Sequence, residues 1–205
     1  MSEWETSGFV PDLDAWDAWR PEQVAARLEG VAVPWCVVGG WALDLFLGGQ
    51  RREHEDLEIA VPADRFEPIA AALPDLEFFT VGSGKAWPMA AFPEAFAAQH
   101  QTWGREREAA LWRVDVMREP HDGDTWIARR DPAIRMPYAN LILRTADGIP
   151  YLRPEVALLF KAKAARPKDG DDCAAVLPHL SRDARQWLRD ALARVHPGHA
   201  WLEIV

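Results

Sequence analysis

The chain has 205 residues, 49% of them apolar and 27% charged, the balance of a folded soluble protein, long enough for one sizeable core or for one domain plus a small appendage, so that disorder is not the default. Its net charge of −9 disfavours non-specific binding to a phosphate backbone, which needs a basic surface to release counterions, and favours a cationic ligand. Two cysteines, Cys36 and Cys173, are too few for a disulfide framework and lack the companions of a zinc motif. No apolar run reaches the roughly 20 residues that cross a bilayer, and Glu3 and Glu5 stand where a signal peptide is basic, so a cytoplasmic protein without redox chemistry is expected.

Residues 21–29 place Val24, Ala25 and Leu28 on one helical stripe, which Gly30 stops. Residues 35–38 are a short β-prone run ending in Gly39-Gly40, and the dense apolar run 41–47 predicts a helix after a tight glycine turn. Residues 56–61 alternate as a half-buried strand until Pro62. A helix is predicted over 63–73 and strands over 77–81 and 111–117, while the stretch between those two strands carries no readable pattern. Residues 141–144 and 149–152 flank Ala146-Asp147-Gly148, a hairpin turn with glycine at positive φ. Residues 154–165, 169–177 and 182–195 carry helical spacing, with Pro154 at the first helical position. The expected organisation is an α/β part, residues 1–152, followed by a helical part, residues 153–205.

Asp56 and Glu58 are two apart on the predicted strand, so both side chains leave one face while Leu57, Ile59 and Val61 go to the other. Asp115 lies between Val114 and Val116 on a later strand, an acid among core-facing valines, and the three carboxylates converge if the strands are neighbours. At about 4 Å each like-charge pair costs on the order of 4 kcal/mol at an effective dielectric near 20, and a cation reverses that sign. Hard oxygen ligands of this number suit Mg²⁺, which keeps several waters and bridges to substrate phosphates. The competing reading is a pair of acids that simply ends a strand at solvent.

The glycine pair offers backbone N–H groups at the positive end of a helix dipole, where phosphate oxygens are held without side-chain bulk. Just ahead of the acids come Arg51, Arg52 and His54. Arg52 is the candidate phosphate clamp, Arg51 suits an ion pair with a neighbouring glutamate, and His54 suits an orienting hydrogen bond. Gly82-Ser83-Gly84-Lys85 lacks the first glycine and the following hydroxyl of a phosphate-binding loop and reads as a plain turn. His196 and His199 lack metal-site spacing and read as a turn as well.

The run from Gly39, Gly40, Trp41 and Asp44 through Gly49, Arg52, His54, Asp56, Glu58 and Ile59 resembles the small antibiotic nucleotidyltransferases, particularly the lincosamide and aminoglycoside 2''-O-nucleotidyltransferase group of the DNA polymerase β-like nucleotidyltransferase superfamily. The likeness is tight over residues 35–61 and looser at Asp115 and over 149–163. It implies an α/β (α+β) nucleotidyltransferase fold, a small mixed β-sheet flanked by helices and followed by a C-terminal helical segment. By position it implies Asp56 and Glu58 as paired metal ligands, Asp115 as a third carboxylate that binds metal or acts as base, and Gly39-Gly40 as the nucleotide-phosphate turn. Mg²⁺ and a nucleoside triphosphate such as ATP are the implied cofactor and co-substrate. Glu58 stands where many members have Asp, and Gly40 where the wider superfamily often has Ser.

Further on, Lys161, Lys163, Arg166, Lys168, Asp169 and Asp172 resemble a Lys-Arg-Lys-Asp-x-x-Asp signature of other branches, including nucleotidyltransferase toxins. Lys161 and Lys163 are thereby candidates to reach the nucleotide, a charged helix face being the alternative. The expected reaction is transfer of a nucleoside monophosphate, AMP from ATP, to a hydroxyl of a small molecule such as an aminoglycoside- or lincosamide-like antibiotic, as in antibiotic resistance. Toxin-like transfer to tRNA or a protein, and an inert nucleotide-binding domain, are the competing readings.

Overall fold

The computed structural model describes residues 3–205. The first half of the chain forms α1 (Glu3–Ser7), α2 (Pro21–Arg27), β1 (Cys36–Val37), α3 (Gly39–Leu47), β2 (Glu58–Pro62), α4 (Glu67–Ala72), β3 (Leu76–Gly82), β4 (Lys85–Pro88), α5 (Pro93–Ala98) and β5 (Gln101–Glu106). There follow β6 (Trp112–Glu119), β7 (His121–Asp122), β8 (Thr125–Ile127), β9 (Arg135–Pro137), α6 (Tyr138–Leu141), β10 (Ile142–Arg144) and β11 (Pro150–Leu152). The chain closes with α7 (Pro154–Lys161), α8 (Pro167–Val176) and α9 (Arg182–Val195). By contacts it forms two compact units: the residues up to Trp35 with His54–His121, and Cys36–Glu53 with Asp122–Val205.

The first unit is built on the strand order β2-β6-β5-β3-β4, with β2 and β6 parallel and every other neighbouring pair antiparallel. Alternation drives this pairing. Leu57, Ile59 and Val61 are almost wholly buried, and the same side of the sheet is covered where Phe66 meets Phe78 edge-on at 5.1 Å between centroids. Phe79, Val81, Ala86, Trp103 and Trp112 form an apolar cluster, with Ala15 and Trp16 packed against it. Its rings meet edge-to-face, as Trp103 and Trp112 do at 5.3 Å, each such pair adding about 0.5–1.5 kcal/mol beyond the area it buries.

Three expectations change in this unit. The first acid strand begins at Glu58, so Asp56 lies in the extended segment ahead of it and not on the strand. The helix predicted over 63–73 divides into a 3-10 turn, Ala63–Arg65, and α4, because Pro68, lacking an N–H, is accommodated only in the first turn of a new helix. The stretch without a readable pattern holds β4, α5 and β5, and the Gly82–Lys85 segment is the turn of the β3–β4 hairpin.

In the second unit β1 lies parallel to β11, which pairs antiparallel with β10. The β10–β11 hairpin closes through Thr145, whose carbonyl accepts from Gly148 N at 3.0 Å, with Gly148 at φ +84° as the turn demands. The core helix α7 buries Val156, Ala157, Leu158 and Leu159. Helix α9 is amphipathic, burying Ala184, Leu188, Ala191 and Leu192 at helical spacing, and Ser181 Oγ caps it by accepting from Ala184 N at 3.2 Å. Because β11 pairs with β1 and α7 packs on α3, contacts group the helical tail with residues 36–53. The sequence-based division at 152/153 follows chain order instead. The mixed α/β class expected from the sequence is the class observed. Among the described residues no helix is long and apolar enough to cross a membrane.

Candidate active site

In the first unit, β2 and β6 run parallel with Glu58 directly beside Asp115, and the pairing reaches one residue further back, where Asp115 N donates to Leu57 O at 2.8 Å. Adjacent in-register residues project to the same face, so Glu58 and Asp115 share one face while Leu57 and Ile59 enter the core on the other. Asp115 is 2% exposed, Glu58 is half-buried and Asp56 is exposed. Burial, then the neighbouring charge of Glu58, and further the charge of Asp56, push the Asp115 carboxyl well above the usual carboxylate range, against the downward pull of Gln101 and, less, of Trp103. Gln101 Nε2 donates to Asp115 Oδ2 at 2.5 Å; Oδ1 is buried without a hydrogen-bond partner.

An orphaned, desolvated carboxylate oxygen beside two further acids is costly unless a cation or a proton meets it. The donors are hard oxygens, so the residues fit Mg²⁺. Among the described residues no three His, Cys, Asp or Glu side chains stand as a preformed metal cluster; Mg²⁺ usually takes only one or two carboxylates, with waters and substrate phosphates completing its shell.

In the second unit Gly39 begins α3 itself rather than a turn before it: Val38 is extended, Gly39 sits at φ +64°, and Gly40 is in the first turn. A β-carbon at Gly39 would be strained by that φ, and the nine-residue helix leaves its first N–H groups without intrahelical acceptors.

Two of the cations expected at the nucleotide, Arg52 and Lys161, are ion-paired within this unit. Arg52 grips Asp172 with two parallel hydrogen bonds, Nε to Oδ1 at 3.3 Å and Nη2 to Oδ2 at 3.1 Å. Lys161, 9% exposed, is held between Asp169 at 3.1 Å and Asp172 at 2.9 Å, and Arg166 Nε meets Asp169 at 2.9 Å. Burial works to raise both aspartates, but it is outweighed. Hydrogen bonds from Arg166 and Lys161 bring Asp169 down to about 2, and those from Arg52 and Lys161 bring Asp172 below its ordinary value. The charges of Arg52 and Lys161 are therefore answered within the protein. Lys163 is exposed just beyond α7. His54 is half-buried, and the 196–199 segment is a turn in which His199 caps a 3-10 helix, its Nδ1 accepting from Trp201 N at 3.1 Å.

Residues 22–85 match the aminoglycoside-2''-adenylyltransferase family, a span that holds Gly39, Gly40, Arg52, Asp56 and Glu58 but ends before Asp115. Among solved structures, the solution structure of the antibiotic-resistance factor ANT(2'')-Ia is similar at a TM-score of 0.56 and 15% identity, over 84% of this chain and 89% of that one. The same factor in complex with adenylyl-2''-tobramycin aligns at 0.55 and 17%, over 84% and 94%. The lincomycin-bound lincosamide antibiotic adenylyltransferase LnuA aligns at 0.52 and 18%, over 76% and 92%. The fold is that of the antibiotic nucleotidyltransferases. A comparison with curated proteins finds no match. Sequence reasoning missed Gln101, which lies in the stretch it left unassigned; the β-prone Thr102-Trp103 that follows was the available signal.

Proposed function

We propose that this protein is a Mg²⁺-dependent nucleotidyltransferase that moves a nucleoside monophosphate, AMP from ATP, to a hydroxyl of a small molecule of the aminoglycoside or lincosamide type. The observation that carries the reading is the in-register pair Glu58 and Asp115, with Asp115 buried and one carboxylate oxygen unmet, in a fold shared with ANT(2'')-Ia and LnuA. The span 22–85 supports it independently through the match to the aminoglycoside-2''-adenylyltransferase family.

Asp56, Glu58 and Asp115 would hold the metal, which supplies charge neutralisation on the triphosphate. Asp115 accepts the proton of the acceptor hydroxyl. The hydroxyl oxygen forms its bond to the α-phosphorus as the bond to the β-phosphate bridge breaks, and pyrophosphate leaves. The amides at Gly39 and Gly40 bind phosphate oxygens. Because Asp169 and Asp172 hold Arg52 and Lys161, those two cations are assigned to bracing the protein, and solvent-facing Lys163 keeps the expected role toward the nucleotide. The net charge of −9 suits a cationic acceptor.

The test is a screen with labelled ATP and GTP against aminoglycosides, lincosamides and bulk tRNA, read by mass shift of the acceptor, for the wild type and Asp56→Ala. A Mg²⁺-dependent shift of one antibiotic class, lost in Asp56→Ala with the fold intact, is expected. Labelled tRNA in place of antibiotic would overturn the small-molecule reading, and retained activity in Asp56→Ala would overturn the metal assignment.

A further inference from the structure

We infer that Gln101 is the positioning residue of this site, holding one oxygen of Asp115 so that the other stays open to a metal ion or an acceptor hydroxyl; the inference rests on the nucleotidyltransferase reading above. Gln101 opens β5, which lies between β3 and β6, and its backbone is in register with Val81 on one side and Met117 on the other. Met117 and Asp115 project to the same face of β6, so Gln101 is the diagonal neighbour of Asp115, a separation that a long side chain spans. It does so: Nε2 reaches Oδ2 at 2.5 Å, while Oδ1 accepts nothing. Trp103, directly opposite Asp115 and 9% exposed, shares that face and pulls the carboxyl weakly downward without completing a hydrogen bond to Oδ1.

The chemistry of the partner is the deciding point. A buried carboxylate kept for structure is best met by a cation, as Lys161 and Arg52 meet Asp172. An amide fixes the orientation of a carboxylate without cancelling its charge, so the full attraction for an arriving cation is retained. A lysine or arginine at 101 would satisfy Asp115 and remove it from the reaction.

The experiment uses Mn²⁺ as the probe, its binding to the nucleotide-free protein measured by electron paramagnetic resonance, in the wild type, Gln101→Met, Asp115→Asn and the double variant. Gln101→Met keeps the length of the side chain and deletes the amide; Gln101→Asn, which keeps the amide but falls one methylene short, is the second variant should methionine disturb folding. Each Gln101 variant is expected to weaken Mn²⁺ binding roughly 10- to 100-fold, and the double variant to bind no worse than Asp115→Asn. A merely structural role would add its own loss to that of Asp115→Asn, and that result, or wild-type binding by Gln101→Met, would overturn the inference alone. Equal Mn²⁺ binding by the wild type and Asp115→Asn would overturn the metal reading of the acids and the inference with it.

Discussion

Two sets of buried carboxylates in this molecule are treated in opposite ways. On α8, Asp169 and Asp172 are met by Lys161, Arg52 and Arg166, and their carboxyls fall below the ordinary range. On β6, Asp115 has a neutral amide on one oxygen, no hydrogen-bond partner on the other and two acids for neighbours, and its carboxyl is driven well above that range. Burial opposes charge in both places; the difference is whether the fold supplies the countercharge. Where it does, the acids hold structure together. Where it does not, the unmet carboxylate is a cost in stability, and the proposed function makes that cost the price of a place for a cation.

The sharpest way to break this contrast is to remove the charge at β6. Asp115→Asn keeps an acceptor for Gln101 and removes the repulsion with Glu58, so nucleotide transfer is expected to fall by roughly 10²- to 10³-fold or more, while the melting temperature holds or rises. Pyrophosphate release and a thermal melt on the same preparation check both halves, and a variant that is inactive only because it has unfolded would refute the contrast. The converse change on α7, Lys161→Met, leaves Asp169 and Asp172 buried with only the two arginines, and it is expected to cost about 3 kcal/mol. Urea denaturation measures it; a loss below about 1 kcal/mol would show the pairing to be incidental.

The unequal legibility of the two regions has the same origin. The acids around Asp56 were readable because their spacing is local: Leu57, Ile59 and Val61 are buried by alternation that any single strand displays. Their pairing partner was less so, since Asp115 comes beside Glu58 only through a long-range parallel register. Gln101 was hard to see because its role depends on β5 lying between β3 and β6, and because β5 buries Thr102, Trp103 and Gly104 in succession instead of showing the alternation that marks a half-buried strand. Arg52, Lys161 and Asp172 were seen as residues but not as partners: positions 52 and 172 are 120 residues apart, and a run of mixed charge looks alike whether it faces a phosphate or its own helix.

Acid should distinguish the sets next. Asp169 has a folded-state value of about 2, below the roughly 3.9 of an unfolded aspartate, so the unfolded chain binds more protons in this range. Stability from Asp169 is fully present above pH about 4 and is lost as pH falls through about 2. The urea midpoint of the wild type should therefore drop across that window, and Asp169→Asn, already weaker at neutral pH, should show a shallower drop. An unchanged slope in the variant would mean that the ion pair with Lys161 does not persist in solution.

The smallest effect expected is the response of folding to Mg²⁺ alone. A ligand that binds only the native state adds about 1.4 kcal/mol at ten times its dissociation constant, which raises the melting temperature of a chain this size by a few degrees. That rise should occur in the wild type and in Lys161→Met, whose acids at Asp56, Glu58 and Asp115 are unaltered, and should vanish in Asp115→Asn. The pattern matters more than its size. If Lys161→Met lost the response as well, the α7–α8 ion pairs would be needed for metal binding, and the separation into a structural and a receptive set of carboxylates would fail. If all three proteins responded alike, the ion would be acting on the acidic surface in general, a possibility that a sodium chloride control at matched ionic strength separates from binding at Asp115.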